Sequence, residues 1–143
     1  MTQREKPPLP TLDAFPARTF DTIRYGDTDK AGHVNNAVFS TYLETGRTQI
    51  LVQQDGMMPM GTFFSLVHLV LDYRAEVTWP GRVEIGSRIK SIGRTSVTME
   101  QAIFQGETCV ATAETVVVMV DSTTRRPTPL PEATIARFKA VCA

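Results

Sequence analysis

The run Tyr25-Gly26-Asp27-Thr28-Asp29-Lys30-Ala31-Gly32-His33-Val34-Asn35-Asn36 places two carboxylates, an imidazole and two amides side by side in the chain. Downstream, Phe39, Tyr42, Leu43, Gly46 and Ile50, with Leu51 on a flank, recur at three- and four-residue spacing. That spacing predicts a helix from about residue 36 to 54, ending near Asp55-Gly56. The first turn of a helix leaves backbone N–H groups without intrahelical acceptors and carries a partial positive charge. A carbonyl oxygen resting against the N–H groups near Val34 to Ala37 would be polarised, and negative charge developing on it would be stabilised. Asp29, a few residues upstream, could attack the same carbon or activate a water beside it. A thioester suits so sparse a site, because a thiol of pKa about 8.5 leaves as thiolate without a strong general acid. Asp27 reads as a turn-forming carboxylate. Asn35 and Asn36 are helix-capping types, and Asn36 could also donate to substrate or water. His33 either orients the loop through a backbone-directed ring nitrogen or contacts substrate.

These residues carry a family resemblance. An aromatic residue, an acidic one, D-x-D-x-x-G, a short apolar stretch and then a helix are matched here by Tyr25, Asp27, Asp29, Gly32 and Val34. This resembles the 4-hydroxybenzoyl-CoA thioesterase-like branch of the hotdog superfamily over about residues 17–125, including the segment DYRAEVTWPG. The resemblance implies hydrolysis of an acyl-coenzyme A thioester. Asp29 is then the catalytic carboxylate, assisted by His33 and Asn36, with Gly32, Val34 and Ala37 at the substrate oxygen. Coenzyme A enters as part of the substrate, and neither a metal nor a separate cofactor is expected. The HVNN portion is also similar to plant-type acyl-carrier-protein thioesterases and bacterial long-chain acyl-CoA thioesterases. The plant pattern has an asparagine where Ala31 stands, and some bacterial members have a His or Tyr at the place of Asn36. Two alternatives stay open: an acyl-carrier-protein thioesterase, and a noncatalytic acyl-CoA-binding module.

The surrounding pattern must position these groups. Residues 1–16 hold four of the nine prolines and read as a flexible arm before a single domain over 17–143. A short edge strand is predicted at 17–27. A long half-buried strand is predicted from Phe63, with Val67, Leu69, Leu71, Tyr73, Ala75, Val77 and Trp79 on one face, up to Pro80-Gly81. Further strands follow at about 82–92, 95–105 and 108–121, the last apolar on both faces as suits a covered interior strand. Pro131 opens a short terminal helix to about Val141. The class is α+β: a hotdog fold with a long central helix wrapped by a curved, mostly antiparallel five-stranded sheet, its last four strands read as a meander. One helix covers one sheet face only, so a homodimer or homotetramer is expected.

Composition removes other functions. Fifteen basic residues balance fifteen acidic ones, and nonspecific nucleic-acid binding needs a concentrated positive field. No apolar run approaches the roughly 20 residues that span a bilayer, and the N-terminus lacks the apolar core of a secretory signal, which points to the cytoplasm. Cys109 and Cys142 lack partners at metal-ligand spacing. For the coenzyme A phosphates, Arg94 with Thr95 and Ser96 is the leading group, and Arg88, Lys90 and Arg125 are further cations. Met57, Met58 and Met60 suit either a deformable acyl pocket or a mobile loop under hydrophobic cover. Glu44 and Arg47, three apart, suit a local helical pair. Glu76, on a polar strand face, is either solvated or comparable to a glutamate used by the plant enzymes.

Overall fold

Alternation of apolar and polar residues builds most of this chain. The computed structural model describes residues 4–52 and 58–142. The strands are β1 (Ala17–Thr22), β2 (Thr62–Tyr73), β3 (Arg82–Ile92), β4 (Ser96–Gln105) and β5 (Thr108–Asp121). Two helices accompany them, α1 (Val38–Leu51) and α2 (Glu132–Lys139). The strands form one antiparallel sheet in the order β1-β3-β4-β5-β2, and α1 lies across one face.

On that face Ile85, Ile103, Ala111 and Ala113 meet Phe39, Tyr42 and Leu43 of α1 in one buried cluster, and Met99 joins Ile50 in a second. The helix rests unusually close to the sheet at Gly46. A Cβ there would come within 2.5 Å of the Ile85 side chain and 2.7 Å of Gln101 Nε2. Glycine is required by space rather than by backbone conformation. Beneath it, buried Gln101 donates to Leu43 O and to Ser87 Oγ, tying helix and sheet with polar bonds inside an apolar layer. Phe15 is buried on the opposite face over Gly86, with Ala102 and Phe104, so packing against the sheet begins before β1.

Two expectations change. The long strand read over 63–79 ends at Tyr73, and a bulge between Leu66 and His68 resets its alternation. An extra residue in one strand breaks the two-residue period, which is why Val67 is 59% exposed although its spacing from Leu69 argued for the inner face. The last four strands are also not a simple meander. β2 pairs with β5 and forms the edge opposite β1, so residues 74–81 must cross the sheet end to reach β3. Three strand spacings amount to about 14 Å, within reach of that segment. Along the way Arg74 N and Ala75 N donate to Val110 O, Thr78 N bonds the Gln105 side chain, and Ile23 N donates to Gly81 O. The expected terminus of α1 at Asp55-Gly56 lies outside the described residues.

Candidate active site

The crossover holds the D-x-D loop. Val34 N donates to Val77 O at 2.8 Å, and His33 bridges Thr78. Within the loop, Asp29 N donates to His33 O and Gly32 N to Asp29 O, closing a tight turn around Gly32 at φ +87°. Glycine takes such a φ without steric cost. Asn35 N reaches back to Asp27 O, so both ends of the loop are tied down before α1 begins.

The two aspartates have different surroundings. Asp27 Oδ2 accepts from Arg24 N and from the Tyr42 hydroxyl, each at 2.9 Å. Burial and the adjacent Asp27 carboxylate push the Tyr42 pKa above the usual tyrosine range, so the hydroxyl stays a donor. Asp27 is a structural carboxylate. Asp29 is exposed and accepts one hydrogen bond, from Ala31 N to Oδ1 at 2.9 Å, while Oδ2 has no protein donor among the described residues. Its side chain lines a cleft with Ala31, His33, Val34, Asn36, Phe39, Tyr73, Ala75 and Glu76. A carboxylate with one oxygen held and one oxygen open to a cleft has the geometry of a nucleophile or general base.

The backbone donors do not stand where the sequence placed them. Gly32 N is engaged by Asp29 O, Val34 N by Val77 O, and Ala37 N by Asn35 Oδ1 at 2.9 Å. Closing the loop used the same N–H groups that were expected to face an oxyanion. Between Val34 and Val38, the Asn36 N–H is the one without a protein acceptor among the described residues. Asn36 also keeps its side chain free of protein partners among the described residues, and its carbonyl accepts from the Tyr73 hydroxyl at 2.8 Å. Neither asparagine is the helix N-cap. Ala37 occupies that position, and Asn35 forms a local turn two residues long. His33 is oriented by a side chain rather than by backbone: its Nε2 lies 2.9 Å from Glu76 Oε2. Glu76 thus sits at the site instead of being merely solvated. Tyr73 was missed as a site residue, because its place in an apolar alternation marked it only as core; its ring packs edge-on against Phe39 at 5.0 Å.

The cations expected at coenzyme A do not converge on this cleft within one chain. Arg94, Thr95 and Ser96 lie at the β3–β4 turn, whereas the crossover and Asp29 lie at the other end of β4, beside Gln105. At about 3.4 Å per residue, β4 separates them by roughly 30 Å. On the outer sheet face Arg88 lies over the Phe15 ring with Glu100 beside it, and Lys90 pairs with Glu114 at 2.7 Å. Arg125 lies over Phe63. Met58 lines a second cleft near the end of α1, Met60 is fully exposed, and Met57 lies outside the described residues. The expected Glu44–Arg47 ion pair does not form among the described residues: Arg47 is buried while Glu44 points to solvent. No helix of the described residues is long and apolar enough to cross a membrane.

A helix cradled by five antiparallel strands, with an aspartate-bearing loop at its start, defines a hotdog thioesterase, and residues 23–138 match the thioesterase-like superfamily. The chain belongs to that family. It is 31% identical over 134 residues to the acyl-CoA thioester hydrolase YbgC of Escherichia coli, covering 90% of this chain and 97% of the relative. A thioesterase of Thermus thermophilus, solved with coenzyme A and zinc, superposes with a TM-score of 0.77 at 31% identity, covering 87% of this chain and 98% of that one. A Pseudomonas aeruginosa protein superposes with a TM-score of 0.85 at 26% identity, covering 95% and 98% respectively.

Proposed function

We propose that this protein hydrolyses acyl-coenzyme A thioesters to the free acid and coenzyme A, with Asp29 as the reacting carboxylate. One observation carries the reading: Asp29 holds one oxygen open to a cleft that also contains Asn36, whose N–H has no protein acceptor among the described residues. The thioester carbon sits against the open oxygen, and its carbonyl oxygen faces the Asn36 N–H. The open carboxylate oxygen either adds to the carbon, expelling coenzyme A thiolate and leaving a mixed anhydride that water cleaves, or takes a proton from the water that adds. His33, braced by Glu76, shapes the wall beside it. Relatives with thioester hydrolase activity at 31% identity support the substrate class.

The exposed edge of β2 supports a homodimer. Leu66, Val67 and Tyr73 are 44%, 59% and 42% exposed along an edge strand that pairs with no further strand among the described residues. Antiparallel pairing of two such edges would set the far end of a second copy beside this chain's Asp29. That end includes Arg94, Thr95 and Ser96, because Ser96 pairs Val118, which in turn pairs Ser65 near the start of β2. The coenzyme A phosphates would then be met across the subunit contact. Free thiols at Cys109 and Cys142 support a cytoplasmic setting.

The test is thiol release across a panel of acyl-CoA thioesters and matched acyl-carrier-protein thioesters. Asp29→Asn should lower the chemical rate at least 100-fold with the thermal transition unchanged, as expected when a reacting group is removed. A folded Asp29→Asn protein that retains full activity refutes the assignment. Label appearing in Asp29 after a single turnover in isotopically heavy oxygen water marks the anhydride.

A further inference from the structure

Arg47 is the only charged side chain among the described residues with less than a tenth of its surface exposed, at 6%. Its Nη1 is buried without any hydrogen-bond partner, and no carboxylate lies within 4 Å of the guanidinium among the described residues. Removing one partner from a buried ion pair is strongly destabilising, so a lone buried cation calls for an anion from elsewhere. Burial pulls the Arg47 pKa below the usual guanidinium range, and nearby Glu44 only partly opposes this. Arg47 lines a cleft between the second half of α1 and β2, whose other walls include Leu51, Met58, Phe64, Leu66 and Val117. Glu44 stands at the mouth, exposed, where water screens its charge.

An apolar cleft with a single guanidinium suits a hydrocarbon chain that ends in an anion. The planar fork of arginine matches a carboxylate with two parallel hydrogen bonds. A methylene chain would occupy the Leu51, Phe64 and Leu66 side while the terminal carboxylate meets Arg47. Arg47 lies nine helical residues beyond Val38, roughly 14 Å along the axis at the helical rise, about the extended length of a twelve-carbon acyl chain at ~1.2 Å per bond. We propose that Arg47 recognises a carboxylate at the far end of the acyl group, which makes monothioesters of dicarboxylic acids the preferred substrates. This rests on the thioesterase reading given above.

Dodecanedioyl-CoA and tetradecanedioyl-CoA are compared with dodecanoyl-CoA and tetradecanoyl-CoA on the wild type, Arg47→Met and Arg47→Gln. In parallel, free dodecanedioate and tetradecanedioate and the matching monocarboxylates are assayed for stabilisation of each protein. The wild type should favour the carboxyl-terminated thioester at least tenfold in kcat/KM, mainly through KM, and both substitutions should erase the preference. Free dicarboxylates should raise the wild-type Tm more than monocarboxylates do, and should leave the variants alike. Equal kcat/KM for the two thioester classes, or a preference that survives Arg47→Met and Arg47→Gln, overturns the proposal. So does loss of the dimer in Arg47→Met together with Glu44→Gln, which would assign the guanidinium to a second copy's carboxylate. Arg47-dependent binding of dicarboxylates without cleavage of any thioester would support this site while refuting the thioesterase reading.

Discussion

Asp27 and Asp29 sit two residues apart on one loop, yet their surroundings differ. The first is half-buried and puts one oxygen, Oδ2, into bonds from both Arg24 N and the hydroxyl of buried Tyr42, which ties the start of the loop to α1. The second gives one oxygen to Ala31 N and leaves the other facing a cleft. The difference is one of neighbours and not of residue type. A carboxylate that bonds a buried hydroxyl away from the cleft stabilises a fold, and an exposed one that lines the cleft is open to a substrate. The same contrast separates the two arginine-bearing regions: Arg88 and its Glu100 neighbour hold the outer sheet face, while Arg47 waits in a cleft without a counter-ion among the described residues.

Four substitutions would break or sharpen that contrast. Asp29→Asn keeps size and hydrogen bonding while removing charge, and should cost at least about 100-fold in rate, near 2.7 kcal/mol of transition-state stabilisation, with little change in Tm. Gly46→Ala is the opposite case, remote from chemistry and severe for packing. A methyl group 2.5 Å from Ile85 forces the helix off the sheet, and should cost about 1–3 kcal/mol in denaturant unfolding. Asp27→Ala leaves the Tyr42 hydroxyl and Arg24 N without their acceptor and should cost about 1–3 kcal/mol. Its rate should fall through misplacement of the loop, and KM and kcat should both shift. Glu76→Gln should be mildest. The pair with His33 is solvent-facing, with Glu76 72% exposed, so stability should change by less than about 1 kcal/mol. The rate should change only a few-fold, seen as an altered pH profile. A large stability loss in Asp29→Asn, or a rate collapse in Glu76→Gln without unfolding, would reverse the assignment of roles.

Much of the fold was legible in residue order. The pattern Val83, Ile85, Ile89 marked β3, and Met99 and Ile103 marked β4, because period-2 alternation with one buried face leaves little freedom of register. The spacing of Phe39, Tyr42, Leu43, Gly46 and Ile50 marked α1, although the helix begins at Val38 and not at residue 36 because Asn35 spends its side chain on the turn before it. Where alternation continued past the end of a ladder, reading by period failed. Tyr73, Ala75, Val77 and Trp79 keep the pattern of one strand, but after Tyr73 the chain trades β5 for the D-x-D loop.

The residue types and spacing around Asp29 were enough to single out the loop and the helix behind it, since these depend on short-range geometry, and to suggest a carboxylate chemistry for them. Which N–H remains unclaimed, which acid braces His33, and which arginine is buried without a partner among the described residues depended on contacts between segments far apart in the chain. Hydrogen bonds and burial are saturated one by one as the fold closes. Only the closed structure shows which groups are left over, and the leftover groups are the ones available to a substrate.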